Sequence, residues 1–342
     1  MRNMLKVTLV FVMLITTVFA QAKITGDVRV RPRIDIKSTD GEETSNQSLI
    51  LYWGRLNVDA DIGGGYSFHT KLASNWVGHW AGYMGSQEVG NDVGLGNDRP
   101  TITFMELSMS KNAGNWGVSA GNLPLNGVAN HIVDLHYYPT SPVDIPWAIK
   151  HVQSFQGFSG FVNAGPGKLN WALSVDANQN NSTAELVNKK TLMVDYGAKF
   201  GGITVKPQMA MTMDNDSAAA PMTMGAGVSA KVAGFTLSGT FLTTSQAVEA
   251  AGKYDGTHMR VGIKGSVGPG FLLAWYDMAS YTPDGGTKAD FTHLWLLYKH
   301  TLYSGDKGAM VVMPTIRLIN GSASDPDWSR TKLELTFQLN FK

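Results

Sequence analysis

Hydrophobic and polar residues alternate one by one along most of the chain after residue 22. Within 24–36, for example, isoleucines and valines occupy one register, and arginines and aspartates occupy the other. The same alternation recurs in 50–62, 168–178 and 331–341. A period of two is typical of a β-strand with one apolar and one polar face, and we find no helical period sustained over more than a few turns. The sequence therefore predicts an all-β fold.

The connections between these segments differ in length in a regular order. Short, glycine-rich turns are predicted at 63–65, 112–115, 163–167, 201–202, 233–234, 265–270 and 304–308. Longer polar connections are predicted at 37–47, 77–99, 122–150, 178–189, 214–220, 244–256, 283–290 and 320–329. This order predicts a transmembrane antiparallel β-barrel of about 16 strands, with short periplasmic turns and long extracellular loops.

A soluble β-sandwich is the alternative, because its strands also have one apolar and one polar face. Glycines in the polar register favour the barrel, since a hydrated lumen tolerates them better than a packed core does. Aromatic residues beside the predicted turns favour it too, because they would form a girdle at one membrane interface. The glycines are Gly225, Gly227 and Gly262, and the aromatic residues are Tyr66, Trp116, Phe200, Phe235, Phe271 and Phe341.

Charge and the N-terminal residues narrow the class of protein further. Lys and Arg total 28 against 27 Asp and Glu, so the chain carries no net basic field for nucleic acid. Residues 1–22 combine basic residues, an apolar run too short to span a bilayer, and small residues that suit cleavage after Ala20 or Ala22. We therefore predict a signal peptide over 1–22 and a single barrel domain over 23–342, exported to the bacterial outer membrane.

Two segments carry a more specific likeness. The chain ends on a strongly alternating strand, 331–341, and a strand at 106–109 turns back into 118–121 just before the longest connection, 122–150. In this pattern the chain resembles the Gram-negative outer-membrane porins over 23–342. The resemblance implies that 122–150 folds into the barrel as a constriction loop, with Asp134, His136 and Asp144 as its candidate polar residues. The chain departs from the porins in ending on Lys342, and in lacking their acidic Pro-Glu-Phe-Gly-Gly run.

The polar register predicts which side chains line the lumen. Cations outnumber anions among them, so we expect a mild preference for anions. Three arginines at alternate positions of one strand form a ladder along the lumen, unless they are ordinary solvated residues beside carboxylates. The candidate pore-lining residues are Arg29, Arg31, Arg33, Arg55, Lys71, Glu106, Lys199, Lys206, Arg260, Lys264 and Arg317.

We find no motif that predicts catalysis, and we expect neither an enzyme nor a cofactor. His131, Asp134 and His136 have the residue types of a metal site, but they are better interpreted as polar loop residues. The expected function is a passive water-filled channel for small hydrophilic solutes or ions, surrounded by outer-membrane lipid and assembled as a homotrimer. The alternative is a barrel that serves as a receptor, adhesin or scaffold for a partner protein.

The alternating lengths of the connections predict the orientation of the barrel. Single cysteines at Asn46, Asn180 and Asp325 should react with a membrane-impermeant thiol reagent on intact cells. Cysteines at Gly64 and Gly201 should stay protected, because the short turns face the periplasm. Labelling of both sets would contradict a single-barrel orientation.

Overall fold

The computed structural model describes residues 22–74, 82–83, 102–125, 128–129, 132, 154–180, 186–214, 222–249, 252–283, 286–322 and 327–342. Residues 1–21, and with them nearly all of the predicted signal peptide, lie outside this set, so the leader stays a prediction. The described part of the chain contains no helix with the length and apolarity of a membrane span.

The described residues form seventeen β-strands in a single sheet. In chain order they are β1 (Ala22–Thr39), β2 (Glu42–Gly63), β3 (Tyr66–Ala73), β4 (Gly82–Tyr83), β5 (Thr103–Asn112), β6 (Trp116–Pro124), β7 (Ser154–Ala164), β8 (Gly167–Asn180), β9 (Leu186–Phe200), β10 (Ile203–Asp214), β11 (Met222–Val232), β12 (Phe235–Glu249), β13 (Gly252–Val267), β14 (Gly270–Pro283), β15 (Ala289–Gly305), β16 (Gly308–Ser322) and β17 (Trp328–Phe341).

The sheet closes on itself through its first and last strands. Antiparallel pairs join sequential strands, and β1 pairs with both β2 and β17. The short β4 pairs with β2 at Leu51 and Tyr52, beyond the point where β3 stops beside Arg55. Strands β3 and β4 therefore share one position, and the barrel has 16 positions around its circumference. The predictions of an all-β fold and of about sixteen antiparallel strands are confirmed.

The two faces of the barrel differ as the alternation predicts. Apolar residues of one register are exposed on the outer surface, whereas the polar register turns inward, where many side chains are buried against one another. The exposed apolar set includes Ile24, Val28, Phe158, Val162, Met213, Met224, Val228, Phe241, Val261, Leu294, Leu296, Ile316, Leu333, Leu335 and Leu339. The pairing of β1 with β17 closes the described strands into a ring, which satisfies backbone hydrogen bonds as an apolar membrane requires.

The predicted outward position of the aromatic residues is confirmed at three sites and wrong at one, and the girdle at a membrane interface stays a prediction. Tyr66, Trp116 and Phe200 are exposed beside short turns. Phe271, in contrast, shares its register with Asp277, whose side chain is buried on the inner face. The alternation of β14 therefore directs Phe271 toward the lumen. The error arose because that strand carries apolar residues on both faces near its turn.

The closing seam pairs a glycine with an aromatic ring. Gly26 of β1 lies opposite Phe341 of β17, and a β-carbon on the glycine would collide with that ring and with the carbonyl oxygen of Arg55. The ring thus covers backbone that a glycine leaves bare, which is how aromatic residues compensate for glycine in a strand. The terminal alternating strand is therefore matched to the first strand in shape as well as in hydrogen bonds.

The short turns are confirmed, but two of the predicted long connections are not loops. The segment 37–47 is the tip of a long hairpin, because Asp40 and Gly41 form the turn with φ of 52° and 82°. Both residues take the left-handed conformation that a tight hairpin turn needs, and an Asp-Gly pair supplies it at low cost. Likewise β12 continues to Glu249 and β13 restarts at Gly252, so 244–256 is mostly strand.

The register can be tested with two neighbouring substitutions in β11. Val228 is exposed on the outer face, and Ser229 is half-buried on the inner face. Val228→Arg should lower the free energy of unfolding in lipid by about 2–4 kcal/mol, because it places a charge in hydrocarbon. Ser229→Arg should cost far less, since the lumen is hydrated. Denaturant titration in lipid vesicles measures both, and equal losses would mean that the two faces are assigned wrongly.

Candidate pore lining

A buried carboxylate on the last strand gathers three arginines from its neighbours. Glu334 is 5% exposed. Its Oε1 lies 2.7 Å from Arg33 Nε, and its Oε2 lies 2.9 Å from Arg317 Nη2 and 3.3 Å from Arg31 Nη1. The contact exists because Arg33 and Glu334 are direct cross-strand partners at the closing seam. The first and last strands therefore meet through charged pairs on their inner face.

Two more carboxylates follow the same arrangement. Asp27 lies 2.9 Å from Arg29 Nε and 2.7 Å from Arg55 Nη2. Asp35 accepts two hydrogen bonds of 2.7 Å from the Arg330 guanidinium, and Lys332 Nζ lies 3.9 Å away.

Seven cations thus share three carboxylates on the adjoining strands β16, β17, β1 and β2, and we call this surface the basic wall. Its cations are Arg29, Arg31, Arg33, Arg55, Arg317, Arg330 and Lys332, and its anions are Asp27, Asp35 and Glu334. The predicted ladder residues lie on one inner face, and each contacts a carboxylate. The cations remain in excess, so the wall is positive even though its arginines are paired.

Tryptophan rings hold several of these guanidinium groups in place. Arg55 Cζ lies 4.5 Å from the centroid of Trp53, and Arg29 Cζ lies 5.2 Å from the same ring. Guanidinium groups stack well on aromatic faces, and the ring restricts where the charge can move. Trp53 is absent from the predicted pore-lining residues, and its position in the polar register of 50–62 is the signal that could have found it.

A second set of arginine–tryptophan contacts lies on β13 to β16, beside the basic wall. Trp275 and Trp295 stack with their centroids 4.6 Å apart. Arg317 Cζ lies 3.7 Å from the Trp295 ring, and Arg260 Cζ lies 4.7 Å from the Trp275 ring. The two arginines are therefore held on the inner face by aromatic contact as well as by ion pairs, Arg317 buried and Arg260 half-buried.

The opposite side of the barrel receives the start of the third long connection. Leu125, Val128, Ala129 and Ile132 form one buried apolar cluster with residues of the inner face. The strand residues in that cluster are Leu123, Phe155, Ala172, Met193, Ala210 and Leu242. The described part of 122–150 therefore lies inside the barrel, against β8, β9, β10 and β12.

Two hydrogen bonds fix this segment to polar side chains of β9 and β10. The Ala129 amide donates to Asp195 Oδ2 at 2.7 Å, and the Ile132 amide donates to Gln208 Oε1 at 3.3 Å. Asp195 also accepts a hydrogen bond of 2.7 Å from Asn170 Nδ2. Asp134, His136 and Asp144 lie outside the described residues, so their assignment to a constriction stays a prediction.

The remaining predicted residues form separate contacts on the inner face. Lys71 pairs with Glu106, whose other oxygen lies 2.8 Å from His69 Nε2. Lys206 Nζ lies 3.3 Å from Asp195. Lys199 and Lys264 are exposed to the lumen. The structure thus brings Arg29, Arg31, Arg33, Arg55 and Arg317 together, and it leaves Lys71, Glu106, Lys199, Lys206 and Lys264 outside that group.

Arg260 belongs to a buried cluster of histidines. Its Nε and Nη2 lie 2.5 Å and 3.0 Å from the two oxygens of Asp277. His258 Nε2 and His293 Nδ1 lie 3.3 Å and 3.2 Å from the same carboxylate. Both histidine side chains and the Asp277 side chain are fully buried. Among the residues that the structure describes, no group of three or more His, Asp or Glu residues could hold a metal ion.

The barrel is similar to solved structures of outer-membrane proteins over more than nine-tenths of the chain. An anion-selective porin from Comamonas acidovorans superposes with a TM-score of 0.62 at 14% identity, covering 94% of this chain and 99% of that chain. OmpF of Salmonella typhi, solved with daunomycin, gives a TM-score of 0.59 at 10% identity, covering 93% and 97%. A loop-deletion mutant of OmpT, an outer membrane protein of Vibrio cholerae, gives 0.57 at 10% identity, covering 93% and 99%.

These likenesses define the fold as the 16-stranded antiparallel barrel of the outer-membrane porins. The resemblance that the alternating pattern indicates is therefore confirmed for the fold. No family model matches the sequence, and no curated protein matches it at a significant level.

The anchoring of the inner segment can be tested at Asp195. Asp195→Ala removes the acceptor for the Ala129 amide, and a hydrogen bond to a charged group contributes about 1.5–3 kcal/mol. We expect the Ala129 amide to exchange its hydrogen roughly 10- to 100-fold faster. Asp195→Asn keeps a side-chain oxygen and should preserve most of the protection. Unchanged exchange in Asp195→Ala would mean that Asp195 does not hold the segment.

Proposed function

We propose that this protein is an outer-membrane porin: a passive, water-filled channel for small hydrophilic solutes and ions, with a mild preference for anions. The observation that carries the proposal is the arrangement inside the barrel. The basic wall occupies β16, β17, β1 and β2, and the apolar cluster around Ile132 occupies β8 to β12, about half the circumference away. The segment after β6 therefore narrows the lumen opposite a positive surface.

The excess of cations on the basic wall supports the preference for anions. Charges act in water over a screening length of about 8–10 Å at physiological salt, which is comparable to the radius of a narrow lumen. An anion passing the wall is therefore attracted by arginines that the three carboxylates do not fully neutralise. The Trp53 ring keeps the guanidinium group of Arg55, whose side chain is 19% exposed, at the lumen surface, where passing solutes meet it.

A passive mechanism needs no catalytic group. The cluster of His258, His293 and Asp277 is buried away from the lumen, which fits this interpretation. Asp277 and His293 are 0% exposed, and His258 is 1% exposed. A solute in the lumen cannot reach those side chains, so the cluster is suited to joining β13, β14 and β15. Flux would be set by the narrowest cross-section, the polar groups around it and the electrostatic barrier.

The outer face supports a membrane location. The exposed apolar band suits outer-membrane lipid, and the aromatic residues beside the turns suit one membrane interface. One similar structure is described as a trimer form of OmpT, an outer membrane protein of Vibrio cholerae, which supports a homotrimer for this chain as well.

A receptor, adhesin or scaffold would use extended extracellular loops. Two connections predicted as loops are instead hairpins: β1 and β2 meet in a turn at Asp40–Gly41, and the pairing of β12 with β13 extends to Glu249 and Gly252. Shorter connections on that rim leave less surface for a protein partner, and this favours the channel.

The preference for anions can be tested by replacing the ladder arginines. In Arg29→Gln, Arg31→Gln and Arg33→Gln combined, Glu334 loses two of its three arginine contacts and Asp27 loses one of its two. The reversal potential in a KCl gradient should shift from mild anion preference toward cations, and the shift should shrink near 1 M salt, where the screening length is about 3 Å.

Lys288→Gln is the matched control, because Lys288 is exposed and pairs with Asp290 at the loop side of β15. It should leave the reversal potential unchanged. An unchanged reversal potential in the triple variant would remove the basic wall as the selectivity element and leave a channel limited by size alone.

A further inference from the structure

Five lysines lie on the inner face close to the short-turn rim, and we call them the lysine arc. They are Lys168 on β8, Lys199 on β9, Lys231 on β11, Lys264 on β13 and Lys299 on β15. Each lysine is an even number of residues away from an inner-face residue of the same strand, as Lys199 is from Asp195 and Lys264 is from Arg260. Since alternate residues of a strand share a face, the lysines point inward as well. The strands β8 to β15 cover about half of the circumference, so the arc follows half of the rim.

The lysine arc differs from the basic wall in that its charges are not neutralised. All five side chains are exposed, and no ion pair joins any of them to a carboxylate of the described residues. Lys168 Nζ lies 3.8 Å from the centroid of the Phe161 ring, and that ring carries no charge. The arc is therefore a concentration of exposed ammonium groups that face the lumen together.

Hydroxyl groups lie between the lysines on the neighbouring strands. Thr236 of β12 is the cross-strand partner of both Lys231 and Lys264. Since paired strands are about 4.8 Å apart, the two lysine Cα atoms lie about 10 Å apart with a hydroxyl between them. Lys199 has Thr204 as its partner, which in turn faces Ser229. The surface thus offers ammonium and hydroxyl donors in alternation.

We infer that the lysine arc is a binding site for multivalent phosphates, meaning condensed phosphate chains or the polyphosphate part of a nucleotide, that enter from the short-turn side. Phosphate oxygens accept hydrogen bonds from ammonium and hydroxyl groups alike. A single phosphate reaches one or two lysines, whereas a chain of phosphates bridges several. The inference rests on the proposed channel function, and it identifies multivalent phosphates as solutes that bind inside the channel.

The test uses single channels of the full-length protein in planar bilayers, with tripolyphosphate added to one chamber at a time. A biotin on Gly202→Cys reports which chamber the short turns face, because streptavidin there alters the current; a side chain at Gly202 meets no neighbouring atoms. Tripolyphosphate should block the current from the short-turn side more strongly than from the other. Inorganic phosphate should block weakly, and the block should fade near 1 M KCl.

The combined variant Lys199→Gln, Lys231→Gln and Lys264→Gln should weaken the block at least tenfold while channels still open. Lys111→Gln is the control, because Lys111 lies at the same rim on the outer face, 4.1 Å from the Tyr66 ring centroid. It should leave the block unchanged. Equal block in the triple variant and the native protein, or no block from either side, would overturn the site and leave the channel standing.

Binding of tripolyphosphate in detergent, measured by calorimetry, separates the two proposals. A protein that opens no channels but binds tripolyphosphate through these lysines would overturn the proposed function and keep the site. A protein that opens channels, and whose triple variant binds tripolyphosphate as well as the native protein does, would keep the proposed function and overturn the site.

Discussion

The backbone of a membrane-spanning segment must satisfy its own hydrogen bonds, because lipid offers none. In this chain the constraint is met by closure: β1 pairs with β17 over twelve residue pairs, from Gly26 with Phe341 to Thr39 with Trp328. Closure fixes the inward and outward registers of every strand, since a slip by one residue would turn each side chain to the other face. The apolar outer surface and the charged lumen both follow from this one pairing.

The same seam also creates the basic wall. Arg33 and Glu334 are distant in sequence and direct partners in space, and Arg317 reaches the same carboxylate from β16. The arginines are held by paired carboxylates and tryptophan rings, yet cations remain in excess. Opposite them, an apolar patch on β8 to β12 receives the segment after β6. In the proposed channel, selectivity and narrowing would therefore come from two sides of one lumen, and both would be built from residues in the inward register.

Alternation along the strands was readable from sequence because it is local: each strand displays its two faces in its own residues. Turn chemistry is harder to read, since the polar segment 37–47 predicts a loop, whereas its Asp40–Gly41 pair closes a tight hairpin. The partners of the arginines could not be derived, because they depend on the register between strands far apart in the chain. The role of Met193 and Leu242 could not be predicted for another reason. Apolar residues in the inward register interrupt the alternation, and only the structure shows that the segment after β6 covers them.

The central claim is that the lumen is an open, water-filled passage narrowed by the segment around Ala129. Osmotic swelling of liposomes that contain the purified protein tests this most directly, with neutral sugars of increasing size as the permeants. We expect fast swelling with a pentose and a steep fall with larger oligosaccharides, because the rate depends on the narrowest cross-section. Swelling no faster than that of protein-free liposomes, even with the pentose, would contradict the account.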